Sequence, residues 1–265
     1  MIYQNTDHSF AVCAYKESPY LENCIQSLLN QTVSSNIFIS TSTPNQYIQS
    51  LAQKHHLHMI VNDGIRGIGG DWNYAYDHSD TALVTIAHQD DIYDPDYTKE
   101  MLASINRAKD PILYFCDYNE LRNQEIIHSN SLLKIKRKIL APLKLSCFWN
   151  SPFIRRRILS FGNPICCPSV TLVKSRLGTS PFTSDYLSNI DWQLWEKMSV
   201  QSGAFVYNPT PLMCHRIHQE STTSELIEND KRTEEDYAMF CRFWPASIAK
   251  LLTHYYSKGQ NSNKT

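Results

Sequence analysis

The sequence predicts an α/β protein whose mostly parallel central sheet is flanked by helices, and three observations lead to this class. Between residues 9 and 116, five apolar, strand-like runs alternate with four stretches in which apolar residues recur at helical spacing. Of the 265 residues, 42% are hydrophobic, which is enough to bury the core of a large domain. Two adjacent carboxylates follow the fourth strand-like run, at the sheet edge where open α/β folds bind ligands.

Each predicted element of the first half has its own local signal. The strands are short runs of apolar residues bounded by polar turns, at residues 9–14, 36–40, 58–61, 82–87 and 111–116. Proline or aspartate opens the intervening helices, which are expected to start near Pro19, Pro44, Asp71 and Pro95. Ser18 is expected to cap the first of them. Repeated strand–helix–strand units place successive strands parallel and cover both faces of the sheet.

The second half is less regular, and the chain closes with a helical extension. The expected order is a basic amphipathic helix and irregular loop over 132–160, a loop and strand over 164–173, a helix over 190–198, a short strand over 203–207, a polar loop over 215–223 and mainly helix from 224 to 256. The polar residues 257–265 are expected to fray. This pattern predicts a main domain over 1–223 and a C-terminal helical extension with a frayed tail over 224–265.

The charge pattern argues against a nucleic-acid partner and leaves one surface open to two interpretations. Lys and Arg total 25, Asp and Glu total 26, and the formal net charge is −1, so the chain lacks the basic excess that binds a phosphate backbone. From Leu132 to Ser160, however, eight basic residues and no acidic residue are interleaved with apolar ones. This stretch is either an ordinary solvated face or a peripheral contact with an anionic membrane, to which each basic residue would add about 1 kcal/mol.

Cysteine usage and hydropathy indicate a reduced, cytoplasmic compartment. The eight cysteines form no Cys-x-x-Cys pair, and Cys13 and Cys116 lie inside predicted strands as small hydrophobes. The first seven residues lack the charged-then-apolar pattern of a signal peptide, and no apolar run approaches the roughly 20 residues of a membrane span. The expected location is the cytoplasm, with the stretch 132–160 as the candidate for peripheral contact with the inner face of the cell membrane.

The carboxylate pair Asp90 and Asp91 is the strongest chemical signal in the sequence. Carboxylates at a strand end suit a hard divalent cation, and such a cation suits a phosphate. Asp90 is the first candidate ligand and Asp91 the second, although Asp91 could instead hold a ribose or a sugar, and either could simply cap the following helix. His88, two residues before Asp90, could support the site or be a structural histidine.

Five stretches, taken in order, resemble family 2 glycosyltransferases of the GT-A fold, over roughly residues 8 to 223. They are Ala14-Tyr15-Lys16-Glu17 with the helix that follows, Asp71-Trp72-Asn73-Tyr74-Ala75, His88-Gln89-Asp90-Asp91-Ile92-Tyr93 in the place of the Asp-x-Asp motif, Asp191-Trp192-Gln193-Leu194-Trp195, and Arg216-x-His218-x-x-Ser221. The sequence departs from the family where His88 replaces an Asp, where Ile190 replaces a Glu, and at 40–43, which lacks the acidic pair that reads the nucleotide base. The last departure leaves the identity of the base open.

The resemblance implies a Rossmann-like GT-A domain with a nucleotide-sugar half at about 1–117 and an acceptor half at about 118–223. It implies a transfer that depends on Mn²⁺ or Mg²⁺, from a nucleotide-sugar donor, most often a UDP-sugar, to a hydroxyl of a glycan or lipid-linked acceptor in bacterial surface polysaccharide synthesis. Asp191 would be the general base, unless it only caps its helix. One base and a metal imply a single displacement with inversion at the anomeric carbon.

The other site residues are carried over from the matching motifs. Metal ligands would be Asp90, Asp91 and His218; nucleotide contacts would be Ala14, Tyr15, Glu17, Ser42, Asp63 and Asn73; and donor or phosphate contacts would be His88, Arg216 and Ser221. Arg216 and His218 could instead pair with a nearby carboxylate such as Glu220, and Tyr15 could be a core residue.

Two other classes of function remain open. A GT-A-fold protein that has lost catalysis and binds a sugar or a partner is suggested by His88 and by the loop 40–43. A zinc protein would use Cys166, Cys167, Cys214, His215 and His218, although adjacent cysteines are poorly spaced for one tetrahedral ion.

Overall fold

A computed structural model describes residues 2–183, 185–218 and 231–261, which fold around one central sheet. Its strands are β1 (His8–Ala14), β2 (Asn36–Thr41), β3 (His58–Val61), β4 (Leu83–His88), β5 (Ile92–Tyr93), β6 (Pro111–Arg122), β7 (Glu125–Ile127), β8 (Val170–Val173) and β9 (Ala204–Ile217). Its α-helices are α1 (Leu21–Leu29), α2 (Gln46–Lys54), α3 (Ile68–Asp77), α4 (Tyr97–Arg107), α5 (Ser131–Leu140), α6 (Pro152–Leu159), α7 (Ile190–Ser199), α8 (Lys231–Cys241) and α9 (Ala246–Asn261).

The first half of the sheet has the predicted parallel arrangement. The strands lie in the order β3-β2-β1-β4, and each neighbouring pair is parallel. Cys13 of β1 lies opposite Ser40 of β2 and His88 of β4, so these three strands reach their carboxyl ends together. This alignment brings the loops that follow β1, β2 and β4 to one edge of the sheet.

The second half makes the sheet mixed and adds a strand that was not predicted at its full length. β8 pairs antiparallel with both β4 and β6, whereas β9 pairs parallel with β6 along most of its length. The short strand β5, just after the carboxylate pair, pairs antiparallel with β9, with Ile92 opposite Cys214 and Tyr93 opposite Met213. The residues of β9 that follow Cys214 are therefore held beside the carboxylate pair.

Helices cover both faces of the sheet, as the alternation of elements predicts. Apolar side chains of α1, α2 and α4 pack on one face, around Phe10 and Val12 of the central strand. Those of α3, α6, α7, α8 and α9 pack on the other, around Ala11 and Ile86. The C-terminal helices α8 and α9 contribute to this second core and share it with the sheet, so the predicted extension is packed against the main domain.

Several predicted boundaries are wrong. Tyr20, not Ser18, precedes the first helical residue. The backbone carbonyl of Ser18 accepts the amide of Leu21 in a turn before α1. The predicted short strand 203–207 continues to Ile217, so His215 and Arg216 are strand residues and not part of a polar loop. Residues 257–261, expected to fray, belong to α9, and α6 replaces the second part of the expected irregular loop. Residues 224–230 of the predicted extension lie outside the described residues.

Candidate active site

Loops from separate strand ends are tied together around the carboxylate pair. His88 is the last residue of β4, and Asp90 and Asp91 occupy the turn between β4 and β5. The Gln89 side chain makes two hydrogen bonds to the loop after β1. It accepts from the backbone amide of Tyr15 at 2.9 Å and donates to the Tyr15 carbonyl at 3.1 Å. The turn is thus fixed both to its own strand and to the neighbouring one.

Asp91 is fully buried and is held by β9. Its Oδ1 accepts two hydrogen bonds, one from the backbone amide of Arg216 and one from His215 Nδ1, both at 2.9 Å. Burial lowers the pKa of His215, but the adjacent Asp91 carboxylate outweighs it and the pKa is raised. The residue that precedes α4 is Asp96, so neither Asp90 nor Asp91 caps that helix and the capping interpretation is wrong.

Asp90 is surrounded by cationic and aromatic groups. His218 Nε2 donates to Asp90 Oδ2 at 2.9 Å, and Arg216 Nε donates to the Asp90 carbonyl at 2.8 Å. The Arg216 guanidinium lies 4.2 Å from the ring centre of Tyr20. Burial raises the pKa of Asp90, but the hydrogen bond from His218 and the charges of the neighbouring histidines outweigh it, so the pKa is lowered and the carboxylate stays ionised. Within the described residues, His218 thus pairs with the Asp90 carboxylate and Arg216 with the Asp90 carbonyl, whereas Glu220, the other partner considered, lies outside the described residues.

A divalent cation fits the side chains at this turn. Ligand atoms of His88, Asp90 and Asp91 all lie within 4.8 Å of one another. Asp91 Oδ2 and His88 Nε2 are buried without a hydrogen-bond partner within the described part of the chain, and such atoms are costly unless they bind something. The His88 ring is stacked on Trp72 at 5.1 Å, which orients it at the site. The donors are two carboxylates and an imidazole, a set that suits Mn²⁺ and, through the carboxylates, Mg²⁺.

The predicted nucleotide contacts follow the ends of β1, β2 and β3. Ala14 is the last residue of β1, and the ring of Tyr15 beyond it is 50% exposed, which excludes a core role for Tyr15. Ser42 is buried, and its hydroxyl donates to Asp71 at 2.9 Å. Glu17 and Asp63 are exposed in the loops after β1 and β3.

Asn73 stands apart from this group. The Asn73 side chain donates to the carbonyl of Phe182 and accepts its amide, both at 2.8 Å, so both of its polar groups are used by the loop before α7. Ser221, like Glu220, lies outside the described residues. The structure thus brings most of the predicted site residues to one edge, with Asn73 turned to a different loop.

Asp191 occupies the second position of α7, and Asn189 is the residue that precedes the helix. The Asp191 carboxylate accepts Asn163 Nδ2 at 2.7 Å on Oδ2 and the amide of Trp192 at 2.7 Å on Oδ1. Burial raises its pKa, and these two hydrogen bonds oppose the rise without cancelling it. Because Asn189 precedes the helix, Asp191 is not its N-cap, although its Oδ1 accepts the amide of a residue in the first turn.

The charges of Asp91 and Asp191 both act on one buried thiol. The Cys166 thiol has a pKa raised first by burial and then by the charges of both Asp91 and Asp191. Lys136 of α5 lies in the same region, since its Nζ donates to the Tyr118 hydroxyl at 2.9 Å and the Tyr118 ring lies 6.3 Å from that of His215.

The zinc interpretation is not supported by the five residues on which it depended, all of which are described. His215 and His218 bind Asp91 and Asp90, and across the described ranges the one group able to hold a metal is His88, Asp90 and Asp91. Cys166 and Cys167 are buried as free thiols, and Cys214 lies on β9. These cysteines have the packing role that free cysteine usually has.

Sequence reasoning missed several residues of the site: Tyr20, Asp71, Trp72, Gln89, Asn163 and His215. His215 had been considered only as a zinc ligand, although its place directly before the Arg-x-His motif was a signal. Asp71 and Trp72 lay within a matched motif but had no role assigned. Nothing in the local sequence indicated Asn163, because its contact with Asp191 joins residues 28 positions apart.

Comparisons with known proteins agree with this geometry. The sequence model described as Glycosyl transferase family 2 matches residues 9–165. A comparison with curated protein sequences found no match.

Solved structures of glycosyltransferases share the fold. A mannosyltransferase from Pyrobaculum calidifontis, in complex with GDP-Man and Mn²⁺, has a TM-score of 0.63 at 14% identity, over 98% of this chain and 71% of that one. TarS 1-349 of S. aureus, in complex with UDP-GlcNAc, has a TM-score of 0.59 at 11% identity, over 94% and 70%. Glucosyl-3-phosphoglycerate synthase from Mycobacterium tuberculosis, with Mn²⁺ and UDP-Glc, has a TM-score of 0.56 at 11% identity, over 87% and 77%.

The family match covers more than half of the sequence, and the fold expected from the resemblance is confirmed. The chain belongs to glycosyltransferase family 2 and has the GT-A fold.

Proposed function

We propose that this protein is a metal-dependent, inverting glycosyltransferase that moves a sugar from a nucleotide-sugar donor, a UDP-sugar in the first instance, to a hydroxyl of a glycan or lipid-linked acceptor. The biological setting that we propose is bacterial surface polysaccharide synthesis. The observation that carries the proposal is the joining of the Asp90–Asp91 turn to His215, Arg216 and His218 across more than 120 residues of sequence. Such an assembly of ligands and cations suits a diphosphate leaving group.

Each group has a distinct part in the donor site. Asp90, Asp91 and His88 would hold the Mn²⁺ or Mg²⁺ ion, which when bound neutralises charge on the leaving diphosphate. His218, the third ligand expected from the sequence, would orient Asp90 through its hydrogen bond. Arg216 places a guanidinium at the same edge, where its charge favours the phosphate oxygens. The loop with Ala14, Tyr15 and Glu17 and the loops with Ser42 and Asp63 would receive the base and ribose.

The transfer itself is a single displacement. The acceptor oxygen forms its bond to the anomeric carbon as the bond from that carbon to the β-phosphate oxygen breaks. The nucleoside diphosphate leaves with the electron pair of the broken bond. Asp191 takes the hydroxyl proton, and its raised pKa makes it a better proton acceptor than an ordinary aspartate. One base on one side of the sugar gives inversion.

The experiment that tests this function combines ligand screening with turnover. Thermal unfolding is measured with UDP, GDP, CDP and dTDP, each with Mn²⁺ and with EDTA; one nucleotide is expected to raise the melting temperature only with the metal. The matching nucleotide sugars are then followed for slow hydrolysis, with the anomeric configuration of the released sugar read by NMR. Absence of turnover in the wild type, with no change on Asp191→Asn, would mean a sugar-binding protein without catalysis.

We also propose that residues 132–160 rest on an anionic membrane surface. Of the eight basic residues in this stretch, Arg155 is buried and donates to main-chain carbonyls near the end of α7, Arg137 binds Asp117, and Arg156 binds Glu196. Lys136 donates to a tyrosine hydroxyl. The remaining exposed cations are Lys134, Lys138, Lys144 and Arg157.

Apolar side chains accompany those cations. Ile135, Leu145 and Phe153 are 54%, 58% and 68% exposed, which is typical of an interfacial segment. Among the helices that the structure describes, none is both long and apolar enough to cross a bilayer. Contact through this surface would therefore be peripheral.

The membrane proposal has its own test. Sedimentation with phosphatidylglycerol vesicles is expected to carry the protein down, less so as salt is raised, whereas phosphatidylcholine vesicles leave it in the supernatant. The double variant Leu145→Ser/Phe153→Ser should lose binding, and Ile126→Ser, which alters an exposed isoleucine on β7, should keep it. Equal binding to both lipids, or no effect of the double variant, would contradict the proposal.

A further inference from the structure

The C-terminal helices reach the candidate base from two directions, and neither helix lies in the part of the chain that matches the family. One contact is made by a carboxylate of α8 with the residues that precede α7. The other is made by a tyrosine of α9 with the residue that binds the Asp191 carboxylate. Both contacts are well formed and belong to side chains that the transfer mechanism does not otherwise use.

Glu235 of α8 organises the start of α7. Its Oε1 accepts the amide of Leu187 at 2.7 Å, and its Oε2 accepts the amides of Ser188 and Asn189 at 2.8 and 3.1 Å. The Ser188 hydroxyl donates to the same oxygen at 2.6 Å. These amides precede the first helical residue and have no partner of their own within the helix. The negative charge of the carboxylate also interacts favourably with the positive end of the helix dipole.

Asp236, the next residue of α8, strengthens the same junction. It is fully buried, and its Oδ1 accepts the side-chain amide of Asn189 at 2.7 Å. The Asn189 side chain, which makes no cap on its own helix, is thus directed towards α8. Asp191 lies two residues further on, so its backbone position is set by α8.

Tyr256 of α9 acts on the side chain of the base. Its hydroxyl accepts the amide of Asn163 at 3.2 Å, and Asn163 in turn donates its side-chain amide to Asp191 Oδ2 at 2.7 Å. The Tyr256 ring packs against Trp192 and Phe240, at centroid distances of 5.7 and 5.5 Å, so the ring is held independently of its hydroxyl.

Residue 162 is glycine at the point of closest approach. A Cβ on Gly162 would lie 2.5 Å from the Tyr256 ring, and its φ of +127° is one that other residues rarely adopt. The turn before Asn163 is therefore shaped to receive the tyrosine. The indole of Trp244, in the connection between α8 and α9, donates to the carbonyl of Ser160 at 2.7 Å and anchors the same turn.

We infer that Glu235 and Tyr256 are positioning residues for the general base, so that α8 and α9 form part of the catalytic apparatus of this enzyme. The inference rests on the proposed role of Asp191 as the base. Glu235 sets where α7 begins. Tyr256 holds the backbone of Asn163 in place, which keeps the Asn163 side-chain amide on the Asp191 carboxylate. Misplacement of a reacting group by about 1 Å can cost up to about a hundredfold in rate.

The test uses the full chain and the nucleotide sugar found to be hydrolysed, with water as the acceptor. Tyr256→Phe and Glu235→Gln are each expected to lower kcat about tenfold or more, with KM for the donor near wild type. Tyr256→Phe should also keep the wild-type melting temperature, whereas Glu235→Gln loses a negative charge at the start of α7 and should melt at a slightly lower temperature. Tyr256→Phe leaves the ring packing in place, which guards against loss of fold. The matched controls are the neighbours Tyr255→Phe, whose ring is 65% exposed, and Glu234→Gln, which is exposed on α8; both should keep wild-type kcat.

The pH profile adds a readout that a purely structural role would not move. In Tyr256→Phe the backbone amide of Asn163 loses its acceptor, and we expect the Asn163 side chain to move away from the Asp191 carboxylate. Weakening of that hydrogen bond raises the pKa of Asp191 further, so the acid limb of the kcat profile should move to higher pH. The charged and titratable groups that act on or lie close to Asp191 are unchanged in this variant: Lys136 of α5, Arg232 of α8, and the thiols of Cys166 and Cys167.

A double-variant cycle separates this inference from the proposed function. If Tyr256 acts through Asp191, then Tyr256→Phe adds no further loss of kcat in the Asp191→Asn background. A further tenfold loss there, or wild-type kcat and pH profile in both single variants, would overturn the inference and leave the base assignment standing. Wild-type turnover of Asp191→Asn itself would instead overturn the proposed function.

Discussion

The two acidic centres of the site, Asp90 and Asp191, have opposite electrostatic surroundings. The Asp90 carboxylate accepts a hydrogen bond from His218, while Arg216 donates to the backbone carbonyl of the same residue. The pKa of Asp90 is lowered by the His218 hydrogen bond and by the charges of the nearby histidines despite its burial. Asp191 is bonded by neutral amides from Asn163 and Trp192, and burial raises its pKa. A carboxylate that holds a cation has to stay ionised, whereas a carboxylate that acts as a base has to accept a proton; each surrounding suits one of these tasks.

The largest expected effect comes from removal of the base. Asp191→Asn should lower kcat for donor hydrolysis by about 10² to 10⁴, the range for general acid–base groups, without changing the affinity for the nucleotide. The new side chain keeps one acceptor oxygen, so it can retain the hydrogen bond from Asn163 or the one from Trp192, but not both. Rates are measured at saturating donor and metal, and nucleotide affinity by titration. A loss of nucleotide binding in this variant would mean that Asp191 also takes part in donor binding, which would contradict the separation of the two centres.

A smaller effect is expected from the residue that orients Asp91. His215→Gln should weaken Mn²⁺ affinity by about 10- to 100-fold, as is usual for groups that hold a metal ligand in place. Turnover should recover when Mn²⁺ is raised, because no transferring group has been removed. His58→Gln, an exposed histidine on β3, is the matched control. Failure of high Mn²⁺ to restore turnover would mean that His215 contacts the substrate directly.

The acid limb of the wild-type pH profile should report Asp191. Since burial raises the pKa of this carboxyl above the ordinary value of 3.8, its base form is lost at a higher pH than for an exposed aspartate. As the pH is lowered, the rate of donor hydrolysis at saturating Mn²⁺ should therefore begin to fall while the pH is still above the value at which an ordinary aspartate protonates. A limb at or below 3.8 would place the base elsewhere.

The smallest effects are on stability, and the two centres should differ in sign. Asp191 has a raised pKa in the fold, so its ionisation costs stability as the pH rises through the ordinary and the folded pKa. The melting temperature of the wild type relative to Asp191→Asn should therefore fall as the pH is raised. Asp90 has a lowered pKa, so its ionised form contributes stability above the ordinary pKa that is lost as the pH falls through the folded pKa. Asp90→Asn should therefore lower the melting temperature at pH 7.5, and each kcal/mol corresponds to about 2–4 °C in a domain of this size.

These two melting temperatures are best measured without added metal, so that ligand binding does not contribute. The difference between Asp90→Asn and wild type should shrink as the pH approaches the folded pKa of Asp90. If raising the pH changed the stability of the wild type relative to each variant in the same direction, the contrast between the two centres would be contradicted.

Local pattern in the sequence determined the first half of the fold and half of the site. Strands β1 to β4 and the helices between them were predictable because their signals lie within windows of about ten residues. The carboxylate pair was recognisable because Asp90 and Asp91 are contiguous with the strand that presents them. The base candidate Asp191 followed from a motif at the start of a helix, and the structure excludes only its role as a cap.

Tertiary structure decided which side chains meet at these centres. Asp91 meets His215 because β5 pairs with β9, a register that depends on contacts 124 residues apart and that no local window contains. Glu235 and Tyr256 lie close to the residues that hold Asp191 because α8 and α9 bury their apolar faces in the same core as α7. Helix and strand propensities are properties of neighbouring residues, whereas the pKa values of Asp90 and Asp191 depend on the burial and the partners that only the packed chain supplies.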